Sequence, residues 1–173
     1  MKQLFVAVIL IISTVMAQAQ KPGFTISNDT SIGSVIFNGQ ITFDDLNKER
    51  SFDWLKRGSD KYNPDAAKLA YLSKDLPQYT MVVFMGTWCS DSHNLIPKLE
   101  KVLQLTAYPM QQYTMYGVDL KKKTIAKTTD NYNITLVPTI ILLKGRQEIG
   151  RITESVKTSI EADLADIIQK DQR

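Results

Sequence analysis

The sequence predicts an α/β sandwich with a mixed central sheet. Three observations predict it. Residues 81–85, Met-Val-Val-Phe-Met, form a continuous apolar run that suits a strand buried on both faces. Directly afterwards Leu95, Ile96, Leu99, Val102 and Leu103 recur at helical spacing. A second apolar run at 139–143 is followed, across Lys144-Gly145-Arg146, by the strand-like segment 148–152. A connection that short makes the last two strands antiparallel.

The chain opens with Lys2, an apolar run over 4–12 and the small-residue tripeptide Ala17-Gln18-Ala19. This is the pattern of an export signal. The run is too short to span a bilayer comfortably. Residues 1–19 are therefore expected to be removed, leaving Gln20 first, with no membrane span in the mature chain. No cysteine follows the run, so no lipid anchor is expected. The destination is periplasmic or extracellular. The 173 residues suit one folded domain, with 63–173 as the main body and 20–62 as an N-terminal extension. A net charge of +3 is too small to argue for nucleic acid, and Lys121-Lys122-Lys123 reads as a solvated helix start.

In the extension, residues 21–31 read as a loose polar lead. Asn38-Gly39, set among alternating apolar residues over 34–43, signals a tight hairpin. Residues 44–58 read as one helix or two short ones, closed by Gly58. Asn63 and Pro64 then supply an N-cap and a first helical position. Leu69, Leu72 and Leu76 give that helix its stripe, and Pro77 ends it. The helix from Ser90 to about Thr106 contains Pro97, which should kink it. A strand is expected over 113–119 and a helix over 124–132. The terminal helix carries Ile160, Leu164, Ile167 and Ile168 on one face, and Thr158 with Glu161 fits a capping box.

Cys89 is the only cysteine and His93 the only histidine. Cys89 stands where the 81–85 strand gives way to a helix. Unpaired N–H groups and the positive dipole end at that point favour a thiolate, which is the nucleophilic form. The Ser92 hydroxyl is placed to donate to the sulfur, and His93 lies one turn on. Asp91 works against the thiolate by repulsion.

Residues 81–93, Met-Val-Val-Phe-Met-Gly-Thr-Trp-Cys-Ser-Asp-Ser-His, with Pro97 in the following helix and Val137-Pro138-Thr139 opening a later strand, resemble the thioredoxin superfamily. The resemblance covers about Asn63 to the C-terminus. It implies a thioredoxin-like three-layer sandwich with a central mixed β-sheet, to which this chain adds an N-terminal extension containing a β-hairpin and helix. It also implies a cis Pro138 beside the sulfur, Trp88 bordering the active surface, and Val137 and Pro138 as a shelf for a substrate backbone.

Two parts of the family pattern are missing. The redox motif reads Cys89-Ser90-Asp91-Ser92, with serine in the resolving position, and Val83 stands where many members carry a buried acid. A mixed disulfide on Cys89 has no internal thiol to release it. The expected function is monothiol exchange or isomerisation, with Cys89 as nucleophile and Ser92 beside it. Partners would be exported proteins or small thiols. No cofactor is called for, and the protein is expected as a monomer. One alternative is a redox-inactive binding protein with a vestigial thiol. Another is weak copper binding through Cys89 and His93, which are too few ligands for a closed site.

Overall fold

The computed structural model describes residues 23–173. The expected export signal at 1–19 lies outside them. In chain order the elements are β1 (Phe24–Asp29), β2 (Ser34–Ile41), α1 (Phe43–Lys48), α2 (Asp53–Lys61), α3 (Ala66–Asp75), β3 (Thr80–Met85), α4 (Ser90–Leu105), β4 (Tyr113–Gly117), α5 (Thr128–Asn131), β5 (Thr139–Lys144), β6 (Gln147–Thr153) and α6 (Ile160–Asp171). The strands form one six-stranded sheet in the order β1-β2-β4-β3-β5-β6. Only β3 and β4 run parallel; every other neighbour pair is antiparallel. This is the mixed sheet expected from the sequence.

Alternation along β3 divides the core. Met81, Val83 and Met85 face a large cluster with Ile96, Leu99, Val102, Leu164 and Ile168, so α4 and α6 cover that side. Val82 and Phe84 face a smaller cluster with Val118, Ile134, Val137 and Ile141. The second side is covered thinly. The helix expected over 124–132 is one turn, Thr128–Asn131. Lys127 is left-handed (φ 54°), and the Thr124 hydroxyl caps the Thr128 N–H at 2.7 Å, so the chain cannot coil earlier.

The extension departs most from the sequence reading. Residues 24–29 form β1, where a loose lead was expected. The hairpin is present, but it joins β1 to β2 through residues 30–33, with Asp29 accepting the Ser31 N–H and Gly33 at φ 63°. Asn38-Gly39 lies inside β2. Gly39 takes φ 125°, and a Cβ there would sit 2.4 Å from the Gly23 carbonyl oxygen, so the position requires glycine. The Asn38 amide reaches outward instead, donating to the Lys123 carbonyl and accepting the Ile125 N–H.

Helix boundaries shift for equally local reasons. Gly58 lies within α2 and does not close it. The α3 cap is Asp65, whose carboxylate accepts the Lys68 N–H at 2.8 Å, and not Asn63. The α6 cap is Ser159, accepting the Ala162 N–H, and not Thr158. Glu161 is thereby freed for a buried tie to the extension: it accepts the Tyr62 hydroxyl at 2.6 Å and the Asp65 N–H at 3.0 Å.

Candidate active site

β3 ends at Met85 and α4 begins at Ser90, leaving a tight turn through Gly86, Thr87, Trp88 and Cys89. The turn closes by the Cys89 N–H donating to the Gly86 carbonyl at 3.0 Å. Cys89 is the N-cap of α4, with extended backbone angles (φ −92°, ψ 124°), and its carbonyl accepts the His93 N–H. The thiol is part-exposed and unpaired. Its Sγ donates to the Val137 carbonyl at 3.4 Å, immediately before a cis Val137–Pro138 peptide. Val137 and Pro138 are both buried at the mouth of β5. The structure thus brings Cys89, Val137 and Pro138 together, as the sequence resemblance implied.

Ser92 is fully buried, and its hydroxyl oxygen accepts the Gly86 N–H at 3.2 Å. The expected donation from Ser92 to the sulfur is replaced by this bond. The geometry favours it because Ser92, one turn into α4, faces back under the turn. Its oxygen satisfies a backbone donor that would otherwise be buried alone. Trp88 is part-buried beside Cys89 and donates from Nε1 to the Val118 carbonyl at 3.0 Å. That bond anchors the active turn to the end of β4.

His93 makes no hydrogen bond to the sulfur. Its Nε2 contacts the Thr87 carbonyl at 2.8 Å, so that nitrogen carries the proton, and its ring stacks on Trp54 of α2 with centroids 4.3 Å apart. The Cys89–His93 copper pair gains no support from this arrangement. Among the described residues, no cluster of three or more His, Cys, Asp or Glu side chains could hold a metal ion.

Three residues support the site through contacts that the sequence did not reveal, although Thr87 stood out there as a neighbour of the thiol. Thr87 is buried, donates to the Val35 carbonyl at 2.8 Å and accepts the Phe37 N–H at 3.1 Å. Trp54 supports His93 from α2, and Val118 holds Trp88. Each contact spans thirty or more residues of chain, and no local motif announces it. Alternation in β2 marked Phe37 as core but not as a backbone partner of the active turn.

A cysteine capping a helix beside a cis proline, at the end of a central strand of a mixed sheet, defines a thiol site on a thioredoxin-type fold. The chain belongs to the thioredoxin family: the family model described as Thioredoxin matches residues 70–170. It is 32% identical over 87 residues to the mitochondrial Thioredoxin-3 of Saccharomyces cerevisiae, covering 50% of this chain and 64% of that protein. The match therefore spans just under two thirds of the yeast relative. It is 29% identical over 90 residues to the thioredoxin of Alicyclobacillus acidocaldarius, covering 51% of this chain and 81% of that one. An HIV epitope-scaffold crystal structure shares the fold at a TM-score of 0.57 and 13% identity, covering 76% of this chain and 93% of its own. No helix among the described residues is long and apolar enough to cross a membrane.

Proposed function

We propose that this protein performs monothiol thiol–disulfide exchange through Cys89. The observation that carries the reading is a part-exposed Cys89 at the N-cap of a long helix, next to the Val137–Pro138 segment. In the first step the Cys89 thiolate attacks one sulfur of a partner disulfide. A Cys89–partner disulfide forms, the partner's own S–S bond breaks, and the leaving thiolate takes a proton. Ser92 has no sulfur with which to attack this intermediate. Release requires a second thiol, either from the partner itself, which completes an isomerisation, or from a small external thiol. Val137 and Pro138 form the wall against which the partner backbone lies, and Trp88 borders it. Ser92 is a positioning residue that holds Gly86 and so the shape of the turn. The amino-terminal signal pattern supports an exported protein acting on exported disulfides.

The test compares wild type, Ser92→Cys and Cys89→Ala. Wild type incubated with glutathione disulfide should gain one glutathione by mass, removed by dithiothreitol. Ser92→Cys should catalyse insulin reduction with dithiothreitol as electron source, while wild type stays near the uncatalysed rate. Cys89→Ala should form no adduct and stay folded. Absence of the wild-type adduct would assign the thiol a vestigial role in a binding protein.

A further inference from the structure

One cleft on the surface lies away from Cys89. It has a volume of about 670 Å³ and lies between α1, the second half of α4 and the start of β4. Glu100 lies ten residues past the first residue of α4, roughly 15 Å along the axis at 1.5 Å per residue. The cleft is therefore separate from the thiol. Its volume falls within the range of small-molecule sites, roughly 300–1,000 Å³.

The lining has a definite chemistry. Phe43 and Tyr113 stack with centroids 5.3 Å apart and form one wall, with Leu103 and Met115 behind them. Two carboxylates face the space: Glu100, only 6% exposed, and Asp44 at the rim. No lysine, arginine or histidine lines it. The polar side chains that lower the Glu100 carboxyl, Ser59 and Asn47, are neutral. Lys101 and Lys56 interact with it at longer range, and neither lines the cleft. A nearly buried carboxylate without a close cation is costly, and an incoming ammonium would offset that cost. Aromatic faces attract cations as well.

We propose that this cleft binds a small organic cation, an amine carrying a flat apolar body, with Glu100 holding the ammonium and the Phe43–Tyr113 wall holding the body. The probes are tryptamine, its carboxylate counterpart indole-3-propionate and neutral 3-ethylindole, titrated calorimetrically against the full protein. Tryptamine should bind at least tenfold tighter than indole-3-propionate. Glu100→Gln should weaken tryptamine about tenfold and leave 3-ethylindole unchanged. The Tyr113 ring signals should shift on binding, while the rate of Cys89 alkylation by N-ethylmaleimide stays constant. Equal affinity for the amine and the acid, an unchanged Glu100→Gln, or no tryptamine binding at millimolar concentration would each overturn the proposal. So would sedimentation as a dimer that Phe43→Ala dissociates, which would assign the cleft to a second copy.

Discussion

Gly58 has no side chain because Pro97 occupies the space. A Cβ at Gly58 would sit 2.6 Å from Pro97 Cβ and 2.8 Å from its Cγ, so α2 and α4 approach closely at this point. Alanine would improve intrinsic helix propensity by about 1 kcal/mol. The clash outweighs that gain, since overpacking a tight contact costs about 1–3 kcal/mol. Gly58→Ala should therefore lower the urea midpoint, and a rise would mean that the two helices separate freely. Glu100, on the same face of α4, behaves differently. Burial, partly opposed by the polar Ser59 and Asn47 side chains, raises its carboxyl above the usual 4.5. The folded state then holds this proton more tightly than the unfolded state. Stability contributed by the group is present at low pH and lost as pH rises through the raised folded value. Glu100→Gln should melt higher than wild type at neutral pH, with the gap closing on acidification below 4.5; a gap independent of pH would exclude titration as its cause.

At the scale of elements, Thr87 joins the hairpin to the active turn. Its hydroxyl serves one donor and one acceptor of β2, at Phe37 and Val35. Thr87→Val keeps the shape but leaves both backbone groups without that partner, at about 1–3 kcal/mol. Hydrogen exchange should rise at Phe37 more than across β5 and β6; uniform exchange would show that the hairpin is held elsewhere. Elements whose cause is local were legible beforehand. β3 was announced by its apolar run, α4 by 3.6-residue periodicity, and the β5–β6 pair by its short Gly145 turn. Cys89 and Pro138 were legible as a site because each stands at an element boundary. The Asn38-Gly39 signal misled because a positive-φ glycine serves two ends. Here it allows the Gly23 backbone to approach β2, and the chain does not turn there. Asp65 and Ser159 take the places of the expected caps, and Glu161 is left to accept the Tyr62 hydroxyl.

At the scale of the molecule, residues 24–62 and the matched region 70–170 share one sheet and one core. β2 pairs with β4, from Gly39 opposite Gly117 to Ile41 opposite Met115. Phe37, Ile41, Leu46, Phe52 and Leu55 are at most 5% exposed, and they belong to the same cluster as Met115, Ile96 and Leu99. Each such side chain contributes about 1.5–3 kcal/mol on burial. Five of them together are comparable in size to the roughly 5–15 kcal/mol net stability of an ordinary domain. The Tyr62–Glu161 bond adds a polar tie across the same seam. Burial raises Glu161, but hydrogen bonds from Tyr62 and Asp65 outweigh it and leave its carboxyl lowered. That stability is present above the ordinary carboxyl value of 4.5 and is lost as pH falls through the lowered folded value. The full chain should therefore melt in one cooperative transition. A chain reduced to residues 63–173 leaves the β4 edge bare and strips from the shared core the side chains that Phe37, Ile41, Leu46, Phe52 and Leu55 supply, so it should bind a hydrophobic dye and show no sharp melt. A cooperative melt of the shortened chain within a few degrees of the full one would show instead that the extension is an accessory laid on a self-sufficient fold.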